Sequence, residues 1–223
     1  MENIARILSE SGIAYIALLM ALTVHEFGHA YAADRLGDPL PRLDGRVSLN
    51  PLVHIDMLGT VILPLLMIIS SVSYGGGFMI FGWAKPVRVS LPNPQHRVRD
   101  DIISTLAGPF MNLVFAVVCL LITVALYAAG LKNYVGLPAI IMEINIVLFV
   151  FNMLPVPPLD GSRILKHAVG MGELAYARLS SYGFIIILLM INFAPIRRFI
   201  SFLIGSIMSA LYFLGDLILN AIN

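Results

Sequence analysis

"ALTVHEFGHAYAADRLGD", residues 21–38, decides how this chain is read. It opens as the tail of an apolar run, 13–24, with the composition of a bilayer segment. Into that run it sets His25, Glu26 and His29, each costly to bury in hydrocarbon. Residues four apart share one face of a helix, so both imidazoles can reach a single ion. Glu26 lies beside that face, placed to take a proton from water at a metal. With five histidines in 223 residues, chance placement yields H-E-x-x-H far less than once. The plainer alternative is a pair of histidines hydrogen-bonded by neighbouring helices.

Composition agrees with a membrane setting. The chain is 59% hydrophobic and 12% charged, against roughly 25% charged for soluble domains. Mean hydropathy is +0.90. The net charge of +1, with no basic tract, gives no reason to expect nucleic acid as a partner. The single cysteine, Cys119, rules out an internal disulfide. A cleaved signal peptide would need Ala30-Tyr31-Ala32 as its processing site and would discard the most polar motif in the chain.

Apolar segments close to the spanning length of about 20 residues recur at 11–33, 55–74, 102–129, 137–154, 179–193 and 199–219. The expected fold is therefore an all-α polytopic membrane protein with about six transmembrane helices. A single domain over 1–223 is expected, with a core at about 11–165 and accessory helices at about 174–220. One piece fits neither class: "YGGGFMIFGWAKPV", 74–87, is glycine-rich and too short to span as a helix. It reads as a re-entrant or extended segment near 75–87, packed inside the protein.

A catalytic zinc needs a third protein ligand and an open position. Two acids offer themselves. Glu143 lies midway along the fourth segment, and Asp160 follows its broken end, "FNMLPVPPLDGSR". Pro155, Pro157 and Pro158 forbid a regular helix there. Broken backbone at membrane depth is tolerated only where protein or a watery cavity covers it. Gly161 permits a tight turn beside Asp160. Asn152 offers a carboxamide to a developing oxyanion or a bond to its own helix. Asn112 has the same two readings, with packing favoured. His54 and Asp56, before the second segment, are read either as neighbours of the metal entrance or as an interfacial cap. His96 and His167 are read as solvated loop residues.

Taken together these motifs resemble the site-2 protease family of intramembrane zinc metalloproteases. HEFGH matches the first family motif. Asn152, Pro155, Leu159, Asp160 and Gly161 match N-x-x-P-x-x-x-L-D-G in a later helix. "AGPFMN" (107–112) is similar to a further signature, and "GRVSLNPLVHIDMLGT" (45–60) with "FGWAKPV" (81–87) to the compact prokaryotic members. The resemblance implies one Zn²⁺ per chain held by His25, His29 and Asp160. It implies Glu26 as general base and Asn152 at the substrate carbonyl. It also implies substrates that are transmembrane proteins cut in or near their membrane segments. The PDZ or CBS domains of some relatives are not expected in this chain. The rival class is a membrane metal-ion transporter or channel using the same His/Asp cluster; a third reading is an inactive relative serving as a scaffold.

Topology follows from charge and chemistry. Simple alternation of six helices places His25–His29 and Asp160 on opposite faces. If the chain instead recrosses through 74–87, those ends share one face, which collects ten of the 14 Lys and Arg. The positive-inside rule then makes that face cytoplasmic, with the N-terminus outside, the C-terminus cytoplasmic and the site in the cell membrane nearer the cytoplasm. The same segment suggests substrate binding. A substrate helix hides its peptide bonds and must unwind. An extended edge at 78–87 can hold the unwound chain by strand addition, with Gly82 allowing close backbone approach; the alternative is a loop that merely plugs the bundle.

Overall fold

The computed structural model describes residues 2–74 and 82–222, and all regular structure among them is helical. Residues 75–81 of the expected re-entrant piece, including the first part of the proposed edge, lie outside the described residues.

Helix α1, Glu2–Arg35, carries the H-E-x-x-H motif in its last third. A short α2, Leu40–Leu43, follows. A 3-10 turn at Pro51–His54 and a π turn at Met57–Ile62 lead into α3, Leu63–Tyr74. After an irregular stretch come α4, Arg97–Ala128, and α5, Gly136–Asn152. The broken backbone at 153–159 ends in α6, Asp160–Ala168. Helices α7, Glu173–Ser181, α8, Gly183–Asn192, and α9, Ala194–Ile222, complete the chain.

Among the described residues, four helical stretches are long and apolar enough to cross a bilayer: Ile7–Arg35, Arg97–Ala128, Lys132–Asn152 and Ala194–Ile222. The fifth apolar segment is not one straight rod. Helices α7 and α8 meet at a 58° bend. The ten residues of α8 rise only about 15 Å, half of a hydrocarbon core of about 30 Å. The second segment, Met57–Ser70, is a shorter apolar helix.

Helices α1, α4 and α5 form the centre. Asn112 on α4 bonds the Ala21 carbonyl on α1, while Ser104 accepts from His29, so the two helices run antiparallel. Small residues bring them close: Ala17, Ala21, Ala30 and Ala33 are fully buried. A Cβ on Gly28 would lie 2.5 Å from the Ala107 carbonyl oxygen. This is how membrane helices gain contact where hydrocarbon supplies no hydrophobic drive. Met142 and Ile146 of α5 and Ala116, Cys119 and Leu120 of α4 fill the remaining core, with Leu211 of α9 against them. Elsewhere α9 exposes Phe199, Phe202, Phe213 and Leu217. In a bilayer that face meets a solvent as apolar as itself.

Candidate active site

The last turns of α1, the first turns of α4 and the start of α6 meet at one end of this bundle. His25 Nε2 lies 3.2 Å from Asp160 Oδ2, and His29 Nε2 lies 3.3 Å from it. The two Nε2 atoms are 3.0 Å apart. Local sequence explains each placement. His25 and His29 are one turn apart on α1. Asp160 begins α6, where the positive helix terminus favours a carboxylate. Gly161 is required for a reason beyond turning: a Cβ there would meet the Met153 carbonyl and stand 2.7 Å from the Leu154 carbonyl oxygen. Gly108 of AGPFMN does the same for His29, whose ring occupies the space of the missing side chain.

The hydrogen bonds fix what the cluster can hold. His29 Nδ1–H donates to the Ser104 carbonyl at 2.8 Å, which in the neutral ring leaves the lone pair on Nε2. Asn112 Nδ2 donates to the Ala21 carbonyl and to Asn145 Oδ1, so its Oδ1 accepts His25 Nδ1–H at 2.7 Å. Asn145 Nδ2 in turn donates to the Ile141 carbonyl, and both asparagines are fully buried. The polarity of this relay is set at its ends by carbonyls that can only accept. Thus two imidazole lone pairs face a carboxylate oxygen that is buried without a donor. Three such atoms lie within 4.8 Å of one another. Without a proton or a metal ion among them they repel. Ligands about 2.0–2.1 Å from a tetrahedral zinc are separated by about 3.3 Å, so the donor set and spacing fit Zn²⁺.

A cavity of about 480 Å³ opens on the cluster, lined by Glu26, Asn152, Arg163, Tyr176 and the 82–89 stretch. Glu26 is buried, and its Oε2 accepts the Val87 amide at 3.1 Å. Asn152 reaches the same cavity, its Nδ2 donating to the Leu148 carbonyl at 3.0 Å. Gly82 lines the cavity, and the neighbour its bare Cα admits is the Gly59 carbonyl, 2.5 Å from where a Cβ would sit.

Other sequence candidates stand apart from the cluster. His54 is buried, Nε2–H donating to the Ser48 carbonyl at 2.8 Å, while its own carbonyl accepts the Lys85 amide. Burial holds its pKa below the ordinary value. Asp56 caps the π turn by accepting the Leu58 and Gly59 amides. Glu143 is on the exposed face of α5 and does not line the cavity. His167 is not a solvated loop residue: it sits on α6, half-buried, with Nε2 2.6 Å from Asp101. Sequence reasoning passed over Asn145, Ser104, Gly108 and the Val87 amide. Only Asn145 leaves a trace, as a carboxamide in an apolar helix two turns before Asn152.

Two histidines and a carboxylate, gathered among membrane-spanning helices beside a buried glutamate, define a membrane-embedded metallohydrolase. The family model for peptidase family M50 matches residues 13–137 and 125–193, and the chain belongs to that family. It is an intramembrane zinc metalloprotease, and metal transport is not favoured. Among its relatives is YwhC of Bacillus subtilis, named as a candidate zinc metalloprotease, 33% identical over 183 residues, 78% of either chain. Rip2 of Mycolicibacterium smegmatis, named likewise, is 31% identical over 182 residues, 81% of this chain and 66% of that one. Rip2 of Mycobacterium tuberculosis H37Rv is 30% identical over 148 residues, 66% of this chain and 54% of its own length. No solved structure matches.

Proposed function

We propose that His25, His29 and Asp160 hold one zinc ion and that Glu26 is the general base for peptide-bond hydrolysis. The observation that carries this is the convergence of His25 Nε2 and His29 Nε2 on Asp160 Oδ2, at 3.2 and 3.3 Å, while both rings bond elsewhere through Nδ1. When bound, zinc brings the pKa of a coordinated water to about 7 and polarises the scissile carbonyl. Glu26, held by the Val87 amide, accepts the proton of the attacking water and delivers it to the leaving amine. Asn152 turns its carboxamide to the carbonyl oxygen as charge develops there.

The substrates are transmembrane segments of other proteins, unwound before cleavage. The 82–89 stretch is the track. Trp83, Lys85 and Val87 turn their amides inward, to the Gly59 and His54 carbonyls and to Glu26. Ala84, whose amide takes no partner among the described residues, and Pro86 line the cavity. Pro86 has no N–H, so an added strand would take its amide hydrogen bond in this stretch from Ala84. The face carrying Arg35, Arg42, Lys85, Arg88 and Arg163 is cytoplasmic, which sets the N-terminus outside and the C-terminus inside. A reporter fused after Val135 that reads cytoplasmic would reverse this orientation.

The deciding experiment counts zinc per protein in wild type, Glu26→Ala and Asp160→Ala. Wild type and Glu26→Ala should each hold one ion and Asp160→Ala should lose it, with cleavage absent from both variants. Zinc retained by Asp160→Ala would move the third ligand elsewhere.

A further inference from the structure

A second cavity, of about 270 Å³, adjoins the first. Val89 and Arg163 line both, so the two cavities share a wall. The chemistry of the second is different. Its walls carry Arg97, Arg163, Lys166 and His167 against two acids, Asp101 and Glu173.

The pairing of those charges is uneven. Asp101 is buried and shared, 2.6 Å from His167 Nε2 and 3.5 Å from Arg163 Nη2. Lys166 is also buried, and its ammonium meets Glu173 Oε1 at 2.6 Å beside the Tyr176 ring. A buried ammonium needs a partner. Here the partner is a side chain 78% exposed, reaching in from the first turn of α7. Holding an exposed side chain in such a pair gains little. The Glu173 carboxylate therefore marks a place where this cavity accepts a carboxylate, and one that an incoming carboxylate can take over. Among the lining side chains three permanent cations face two acids, and the Asp38 carboxylate behind the Ser90 and Leu91 amides is already held by their hydrogen bonds.

The position relative to the catalytic centre is set by the backbone. The Val87 amide is on Glu26, while Ser90 and Leu91 line the second cavity. At about 3.3 Å per residue, a chain laid along that track presents a side chain there two to four residues from the bond being cut. We propose that this cavity is a specificity subsite for an Asp or Glu side chain of the extended substrate, two to four residues from the cleaved bond. The inference rests on the protease reading above and on 82–89 as the substrate track.

The test uses full-length chain with zinc and a set of transmembrane peptides carrying Glu or Gln at each of the four positions on either side of the cut. At one position two to four residues away, Glu should be preferred over Gln by about tenfold in kcat/KM, the scale of a charge-assisted hydrogen bond. The preference should shrink in high salt and fall to near unity in Arg163→Gln, at a half-buried position, and in Arg97→Gln, at an exposed one. It should reverse toward Gln in Arg163→Glu and grow in Glu173→Gln, where Lys166 is left for the substrate. Equilibrium binding of the same peptides to Glu26→Gln chain gives the same ratios without cleavage. Equal binding and cleavage of Glu and Gln peptides at every position, or a preference unmoved by the Arg variants, overturns the subsite and leaves the protease standing. Peptides that bind with the expected preference but are never cut overturn the protease reading instead.

Discussion

Gly108→Ala adds one methyl group and isolates how His29 is held. A Cβ at position 108 would lie 2.5 Å from His29 Cε1 and 2.8 Å from Cδ2, with Nε2 nearer still. Carbon atoms pack at about 3.5–4.0 Å, so the ring must retreat by about 1 Å. Zinc ligands tolerate displacements of about 0.2 Å. The Nδ1 bond to Ser104, on the same helix as the added methyl, must break or stretch as the ring leaves. Disturbing what orients a metal-bound histidine typically costs about 10–100-fold in affinity, or roughly 1.4–2.7 kcal/mol. The helix itself moves the other way, because alanine in place of an interior glycine favours helix by about 0.8–1.0 kcal/mol. Competition with a zinc chelator in detergent, paired with thermal unfolding of the zinc-free chain, separates the two effects. Weaker zinc with the zinc-free unfolding temperature unchanged or raised is the expected result. Zinc affinity within twofold of wild type would refute the claim that the bare Gly108 surface positions His29.

The Asn relay should act in order of proximity. Asn112→Leu leaves the buried His25 Nδ1–H without an acceptor, and chelator competition should show about 10–100-fold weaker zinc. Asn145→Leu, one bond further away, should cost less; a larger loss from Asn145 would place the control elsewhere. Gly82→Val should abolish cleavage of a transmembrane substrate while zinc stoichiometry stays at wild-type level, because its side chain would push the track off the Gly59 carbonyl; unchanged cleavage removes the track. Asp38 supplies a pH signature. Burial alone would raise its pKa, but the Ser90, Leu40 and Leu91 amides and the Ser90 hydroxyl outweigh burial and hold it below the ordinary carboxylate value. A depressed folded value contributes stability that is full above an unfolded pKa of about 3.9 and is lost as pH falls through the folded one. Asp38→Asn should therefore lower stability by about 1–3 kcal/mol near neutral pH and flatten the acid limb of an unfolding profile; an unchanged limb would assign it to other carboxylates.

What the sequence made legible is chemistry at fixed spacing. The His25/His29 pair is a helical repeat. The prolines at 155, 157 and 158 announced a break in the helix, though the irregular backbone ends at 159 and Asp160 stands on the first turn of α6 rather than on the irregular stretch. Less legible was whatever depends on two helices meeting. Nothing local to AGPFMN says that its glycine makes room for a ring on another helix. Asn145 looked like one polar residue among apolar ones until Asn112 was opposite it. His167 read as loop because its partner, Asp101, is 66 residues away. The bend between α7 and α8 was hidden for another reason: Tyr182 and Gly183 scarcely interrupt the apolar pattern that defined the segment. For Gly82 the residue was singled out, but the close neighbour is the chain's own Gly59 carbonyl.

The bond from the Val87 amide to Glu26 has a consequence for where a substrate is cut. Glu26 is anchored to the same few residues that the substrate would lie along, and those residues are pinned again at His54 and Gly59. On the proposed track, with Glu26 as base, ruler and blade are thus one piece. A substrate sliding along the track changes which of its bonds faces the base, but the spacing between base and track does not change. Cleavage should therefore fall at a single bond chosen by the register of the substrate, and an insertion in the 83–87 stretch should move that bond rather than blur it.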